Sequence, residues 1–242
     1  YVQKYQPGAE VTMYFSAVID KKPSAFGVFR GQEITAGKNE ISGKGAGLYV
    51  SFATSDHEAI TIKAGLSFTS IANARLNLQT EAAYLTFEQA KKAAKDTWNE
   101  YLGRIQVETA IDSNKVKFYT GLYHALLGRG LASDVNGAYP KNDGTVGQIA
   151  QGKDGKPLHH HYNTDAIWGA YWNLTQLWAL AYPEYYSEWI KSQLLIYKDA
   201  GWLADGIANS RFVSGVGTNM VSLASAGAYM AEKKDIDVPL AY

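Results

Sequence analysis

The chain has 242 residues, 46% of them apolar, and its 23 Lys and Arg balance its 23 Asp and Glu. That length holds one large domain or two small ones around a sizeable core, and the neutral balance offers no basic field for nucleic acid or an anionic membrane. Cysteine is absent, which excludes disulfides, thiolate metal sites and thiol nucleophiles.

No apolar run approaches the roughly 20 residues of a membrane span, and no signal peptide is visible. The chain opens on Tyr1-Val-Gln and closes on Val238-Pro-Leu-Ala-Tyr242, so both ends are expected to continue in a longer protein. The compositional excess is aromatic, with 17 Tyr and 6 Trp. Flat rings with polar rims suit a helical core, and they equally suit a sugar-binding cleft.

The first part alternates with a period of two. Val11, Met13, Phe15, Ala17 and Ile19 share one face, as do Leu48, Val50 and Phe52, and then Ile60, Ile62, Ala64, Leu66 and Phe68. Such alternation, broken by Gly-rich stretches such as Gly43–Gly47, predicts half-buried antiparallel strands. Residues 1–80 therefore read as part of a β-sandwich. At Thr86 the period changes. Thr86 and Gln89 fit a capping box, and Ala90, Ala94, Trp98 and Tyr101 follow at helical spacing up to a stop at Gly103. Asp112 or Ser113 is placed to cap a second helix carrying Val116, Tyr119, Tyr123 and Leu127. Asn136-Gly137 and Asp143-Gly144 predict a hairpin between about 132 and 149. Helices are expected over about 164–181, from Pro183 to about Tyr197 with Gly201 as terminator, and from about Thr218 to Met230.

The order is strands, a linker helix, then helices joined by short turns, which predicts helix packed on helix. The His159-His-His161 run invites a metal reading, but adjacent residues do not converge easily on one ion. It is read as a loop with one histidine lining a cleft. Asn173-Leu-Thr175 matches a glycosylation sequon, discounted because it falls within a helix expected to be buried. Gly215-Val-Gly217 lacks the preceding strand that would make it an anion-binding loop.

An ordered series of segments carries a resemblance. Tyr49-Val-Ser-Phe52, Gly65-Leu-Ser-Phe-Thr-Ser-Ile-Ala-Asn-Ala-Arg-Leu-Asn-Leu78, Trp98-Asn-Glu-Tyr-Leu-Gly-Arg-Ile-Gln-Val107, Phe118-Tyr-Thr-Gly-Leu-Tyr-His124, Ser133-Asp-Val-Asn-Gly137 and Gly201-Trp-Leu203 resemble glycoside hydrolase family 92, over roughly residues 45–231. These are mostly exo-acting α-mannosidases. The resemblance implies the end of an N-terminal β-sandwich (1–82), a helical linker (83–111) and the first part of an (α/α)6 barrel (112–242). It also implies an inverting, calcium-assisted mechanism, a glycan or oligosaccharide substrate and an extracytoplasmic location. The family's calcium ligands and base carboxylates lie in later motifs, a Gly-Asn-Glu-Pro segment and an Asp-rich glycine segment, and neither occurs here.

Two departures matter. The family acid is a Glu after Gly-Trp-Leu-Pro, and aligning Gly217 with the following family glycine puts Arg211 at that position. No Glu occurs between Glu188 and Glu232, and an arginine does not give up its proton near neutral pH. Asp205 is the nearest carboxylate that could substitute; its bland reading is a solvated loop residue. The family's Trp-Asp pair reads Trp168-Gly169. Asp165, four residues before Gly169, could reach the same sugar hydroxyls from one turn away, or serve as a helix-start acid. Trp168 and Trp202 match family positions near the sugar, whereas Trp172 and Trp178 read as helix-packing residues. Arg211 would suit a ligand carboxylate or phosphate, or a plain surface position. The leading expectation is a family 92 type glycosidase with altered specificity. The alternative is a non-catalytic carbohydrate-binding or scaffold protein on the same fold, and a phosphorylase or trehalase relative stands third.

Overall fold

The computed structural model of the chain describes residues 2–4, 10–127, 130–163, 167–203, 206–208, 211–213, 220–233 and 235–241. It divides into two compact units, Ala17–Ala64 and the combination of Tyr1–Ser16 with Gly65–Tyr242. In chain order, β1 (Val2–Lys4) pairs antiparallel with β2 (Glu10–Thr12). Next, β3 (Tyr14–Ile19) pairs with β7 (Ile62–Ser67). Between them, β4 (Ala25–Arg30) runs antiparallel to both β5 (Glu33–Ala36) and β6 (Ala46–Ser51), around a buried Val28. The alternating segments read from the sequence are thus strands, but the faces expected to be buried are largely not: Phe15, Leu48, Val50, Ile62 and Leu66 are exposed. The β4–β5 hairpin adds a pair that its short, exposed second strand concealed.

The expected sandwich extends to residue 80, but a helix, α1 (Ile71–Glu81), begins before that. Ser70 caps it, accepting from Asn73 N at 3.0 Å. Its buried face is Ala74, Asn77 and Leu78, at the i, i+3, i+4 spacing of a helical stripe. The stripe lies so close to β7 that a Cβ on Gly65 would overlap the Ala74 carbonyl oxygen and stand 2.6 Å from Leu78 N. A polar network holds α1 to the turn at 133–137. Buried Asp134 accepts from Ser67 Oγ at 3.0 Å, from Asn77 Nδ2 at 2.7 Å and from Thr69 Oγ1. Val135 N donates to Asn77 Oδ1 at 3.0 Å, and Asn136 Nδ2 to Asn73 Oδ1 at 3.1 Å.

The capping box at Thr86 and Gln89 forms, and α2 (Phe87–Gly103) follows it. Next comes α3 (Asp112–Leu126), where neither Asp112 nor Ser113 caps: Ile111 holds the N-cap position without a side-chain bond, and Asp112 sits in the first turn. There its charge still opposes the positive end of the helix dipole. The predicted hairpin is β8 (Ala138–Pro140) with β9 (Val146–Gln148).

The helix expected over 164–181 is two, α4 (Ile167–Tyr171) and α5 (Leu174–Ala181), parted at Trp172 and Asn173. Asn173 is exposed there, so the sequon asparagine is at the surface, contrary to the sequence reading. Pro183 starts α6 (Pro183–Ala200), and Gly201 ends it at φ 80°, a left-handed cap that donates to the Tyr197 carbonyl at 2.7 Å. That conformation is routine for glycine and strained for other residues. A small hairpin follows, β10 (Gly206–Ala208) with β11 (Arg211–Val213), then α7 (Met220–Met230) and α8 (Val238–Ala241).

The main core gathers Ile167, Trp178, Tyr182, Tyr186, Trp189, Ile190, Leu194, Val221, Ala224 and Ala228. Helices α4 to α7 therefore pack on one another. Ala224 and Ala228 keep α7 thin where α6 crosses, and Tyr186 Oη donates to the Ala224 carbonyl at 2.6 Å. Fully burying a large side chain is worth about 1.5–3 kcal/mol, so Trp178, Tyr182, Tyr186 and Trp189 put part of the aromatic excess to work in this helical core. No helix among the described residues is long and apolar enough to cross a membrane.

Candidate functional site

Asp165 and Asp205 lie outside the described residues. Trp168 is in α4 and Arg211 opens β11 opposite Ala208; the side chains of both likewise lie outside what is described. Gly169 is exposed, and a Cβ placed on it would meet nothing within 4 Å. Lack of space therefore does not explain the missing aspartate there. Trp202 is 57% exposed and meets the Phe212 ring edge-on, centroids 4.8 Å apart at 86°. The Gly201 cap and the β10–β11 hairpin thus bring Trp202 next to the residue that follows Arg211.

The same end of α6 is tied to the β8–β9 hairpin. Tyr139 Oη donates to Asp199 Oδ2 at 2.6 Å, and Lys141 Nζ stands 2.9 Å from Asp199 Oδ1. Burial, and then the bond to Asp199, push the Tyr139 phenol above its ordinary value. Phe212 N donates to Asn142 Oδ1 at 3.0 Å.

The three histidines diverge. His159 Nδ1 lies 2.9 Å from the His160 carbonyl. His161 is fully buried, with Nδ1 2.9 Å from Ser192 Oγ and its ring tilted on Tyr139. Burial pushes its imidazole down to about 3, so it is a neutral core group. His160 alone faces a cavity. Among the described residues no group of three or more His, Asp or Glu gathers to hold a metal ion.

That cavity has a volume of about 520 Å³. Its walls come from α2 (Trp98, Tyr101), the end of α3 (Leu126, Leu127), α5 (Trp178), the corner residue Tyr182 and the first two turns of α6 (Glu184, Tyr185, Glu188), with His160 and Tyr162 from the loop before α4. Glu188 Oε2 takes two bonds, from Tyr162 Oη at 2.7 Å and from His160 Nδ1 at 2.8 Å. Burial works to raise the Glu188 carboxyl, but these bonds and the nearby imidazoles outweigh it and hold it below the usual carboxylate range. The bond to Glu188 raises the His160 imidazole above its ordinary value against a smaller effect of burial. Burial, and then Glu188, push the Tyr162 phenol up. Glu184 pairs with Arg104, whose guanidinium also lies 4.6 Å from the Tyr101 ring centroid and 5.3 Å from that of Tyr182, a cation–π arrangement.

Sequence reading missed Glu188, His160 and Tyr162 as a group. One signal was available: Glu184 and Glu188 are four apart on α6 and so share a helix face. The partners of Glu188, 26 and 28 residues earlier, carry no local mark.

A profile of the glycosyl hydrolase family 92 catalytic domain matches residues 73–242, and one of the glycosyl hydrolase family 92 N-terminal domain matches residues 1–67. No curated protein matches the chain. A family GH92 inverting mannosidase from Bacteroides thetaiotaomicron VPI-5482 superposes with a TM-score of 0.87 at 22% identity, over 99% of this chain and 32% of that one. A family GH92 α-mannosidase from Bacteroides thetaiotaomicron gives 0.84 at 22% identity, over 96% and 31%. These likenesses establish the fold. The chain spans about a third of the length of the solved structures it matches.

Proposed function

Because this chain belongs to glycosyl hydrolase family 92, we propose that it is part of an exo-acting glycosidase for terminal α-mannosides or a related α-glycoside. The observation that carries the reading is the match of both family domains, in order, along one chain. On this reading residues 1–82, the strands together with the helix α1 that follows them, belong to the N-terminal β-sandwich domain, 83–111 form the linker, and 112–242 begin an (α/α)6 barrel. Trp168, Trp202, Asp165, Gly169 and Arg211 belong to the sugar-binding end of that barrel, and the protein works outside the cytoplasm.

The mechanism is inverting. It needs one carboxyl to protonate the leaving oxygen and another, about 6.5–9.5 Å away, to activate water. In this chain Arg211 stands at the acid position and Asp205 is the nearest substitute; the base lies in sequence outside these residues. Calcium would hold sugar oxygens and polarise them. The described residues offer no donor set that fits the ion, so its ligands too are assigned outside this chain and no step is derived through it. Arg211 and Gly169 in place of Glu and Asp shift the specificity, toward a leaving group that needs little protonation or a ligand with an anionic substituent.

The test is hydrolysis of α-mannosides by the protein carrying its complete reading frame. The expected result is release of mannose with inverted anomeric configuration, abolished by chelating calcium. The same two replacements favour the second reading, a non-catalytic glycan-binding protein. Saturable glycan binding with no turnover of any α-glycoside would establish that reading and overturn the first.

A further inference from the structure

We infer that the cavity between α2, α3, α5 and α6 is a binding site for a neutral pyranose unit of a glycan. Charge narrows the choice of ligand first. Each carboxylate on the wall already has a basic partner, Glu188 the His160 imidazole and Glu184 the Arg104 guanidinium. A phosphate or carboxylate ligand would meet two carboxylates, and a cation would have to displace a partner already in place. A neutral ligand rich in hydroxyls faces neither penalty.

The remaining features suit such a ligand. No hydrogen bond reaches Glu188 Oε1 or Glu184 Oε2 among the described residues, and a carboxylate oxygen accepts strongly from a hydroxyl. Trp98 and Tyr185 are partly exposed at the wall, and aromatic rings of this kind are apolar surfaces on which a sugar ring stacks. The volume of about 520 Å³ falls in the roughly 300–1,000 Å³ range of small-molecule sites. The polar group is held in advance. Tyr162 N donates to Ser192 Oγ at 3.0 Å while its hydroxyl holds Glu188, and Trp178 behind them is buried. Binding therefore requires little further ordering of the wall.

The choice of a mannose-type sugar rests on the glycosidase reading; the site itself rests on the cavity. The test is titration of the protein with methyl α-mannoside and an α-linked mannobiose, followed by the indole N–H resonances of Trp98 and Trp202. The expected result is saturable binding that moves the Trp98 resonance. Glu188→Gln and Trp98→Ala should each weaken it at least about tenfold, the loss of one contact to a charged or stacking group. Trp98→Phe should restore most of it, which also guards against a Trp98→Ala chain that fails to fold. Trp172→Ala, at an exposed tryptophan that does not line the cavity, should leave it within about threefold. No binding by the unaltered chain overturns the inference, and so does binding abolished by Trp202→Ala but kept in Trp98→Ala. Neither result bears on turnover, so the glycosidase reading stands or falls separately.

Discussion

Replacing Asp134 by alanine should destabilise the protein by about 3–5 kcal/mol, the balance between three lost hydrogen bonds to a charged group and the desolvation that the carboxylate no longer costs. The carboxylate accepts three side-chain hydrogen bonds, from Ser67, Thr69 and Asn77. Hydrogen bonds to a charged group are worth about 1.5–3 kcal/mol each, so the gross loss is about 4.5–9 kcal/mol. Two effects reduce it. The carboxylate no longer has to be desolvated, which offsets several kcal/mol. The donors also keep other partners: Asn77 Nδ2 still reaches the Leu66 carbonyl at 2.7 Å, and the Ser67 and Thr69 hydroxyls lie 3.1 Å apart, so one can donate to the other. Asp134→Asn should cost less, because one amide oxygen can still accept. The assay is urea unfolding followed by far-UV circular dichroism, extrapolated linearly to water. Hydrogen exchange on the α1 amides should quicken in the alanine variant. A loss below about 1 kcal/mol, with α1 exchange unchanged, would show that the network does not hold α1 and would refute the reasoning.

Gly65→Ala should lose at least about 1–3 kcal/mol, the usual range for overpacking, because the new methyl meets backbone atoms of α1 and not a mobile side-chain tip; an unchanged urea midpoint would contradict it. His161 makes stability fall in acid. Its folded value of about 3 lies below the ordinary 6.5, so the unfolded chain takes up a proton that the folded chain refuses. Its contribution is complete above about pH 6.5 and declines at up to about 1.4 kcal/mol per unit as the pH drops toward 3. His161→Gln should flatten the stability profile between pH 6.5 and 4 by that slope, and parallel profiles for the two proteins would disprove it.

Much of the fold was legible because it is encoded locally. Alternating faces mark the strands, the Thr86–Gln89 pair marks the start of α2, Pro183 and Gly201 mark both ends of α6, and Asn136-Gly137 with Asp143-Gly144 frame the β8–β9 excursion. The failures have physical causes. In α1 the buried stripe includes Asn77, a polar residue inside because it bonds the 133–137 turn, so hydrophobic spacing hides the helix. The break at Asn173 separates two apolar helices of continuous character, and apolar periodicity alone does not mark where one stops. Ile111 in the N-cap position contradicts the usual residue preference. For the site, Trp202 could be found by resemblance, but its Phe212 neighbour depends on a hairpin folding back. The Glu188, His160 and Tyr162 contact depends wholly on tertiary packing.

Tyr182 closes α5 and opens α6 at once, with φ −136° and ψ 51°. The corner between the two helices therefore has no spare length. One residue inserted there would turn α6 about its axis by about 100°, carrying Trp189 and Ile190 out of the interior and Glu188 away from Tyr162. The exposed turn at 153–155 faces no such restriction. Among relatives, variation in chain length should thus collect in that turn and spare the corner at Tyr182.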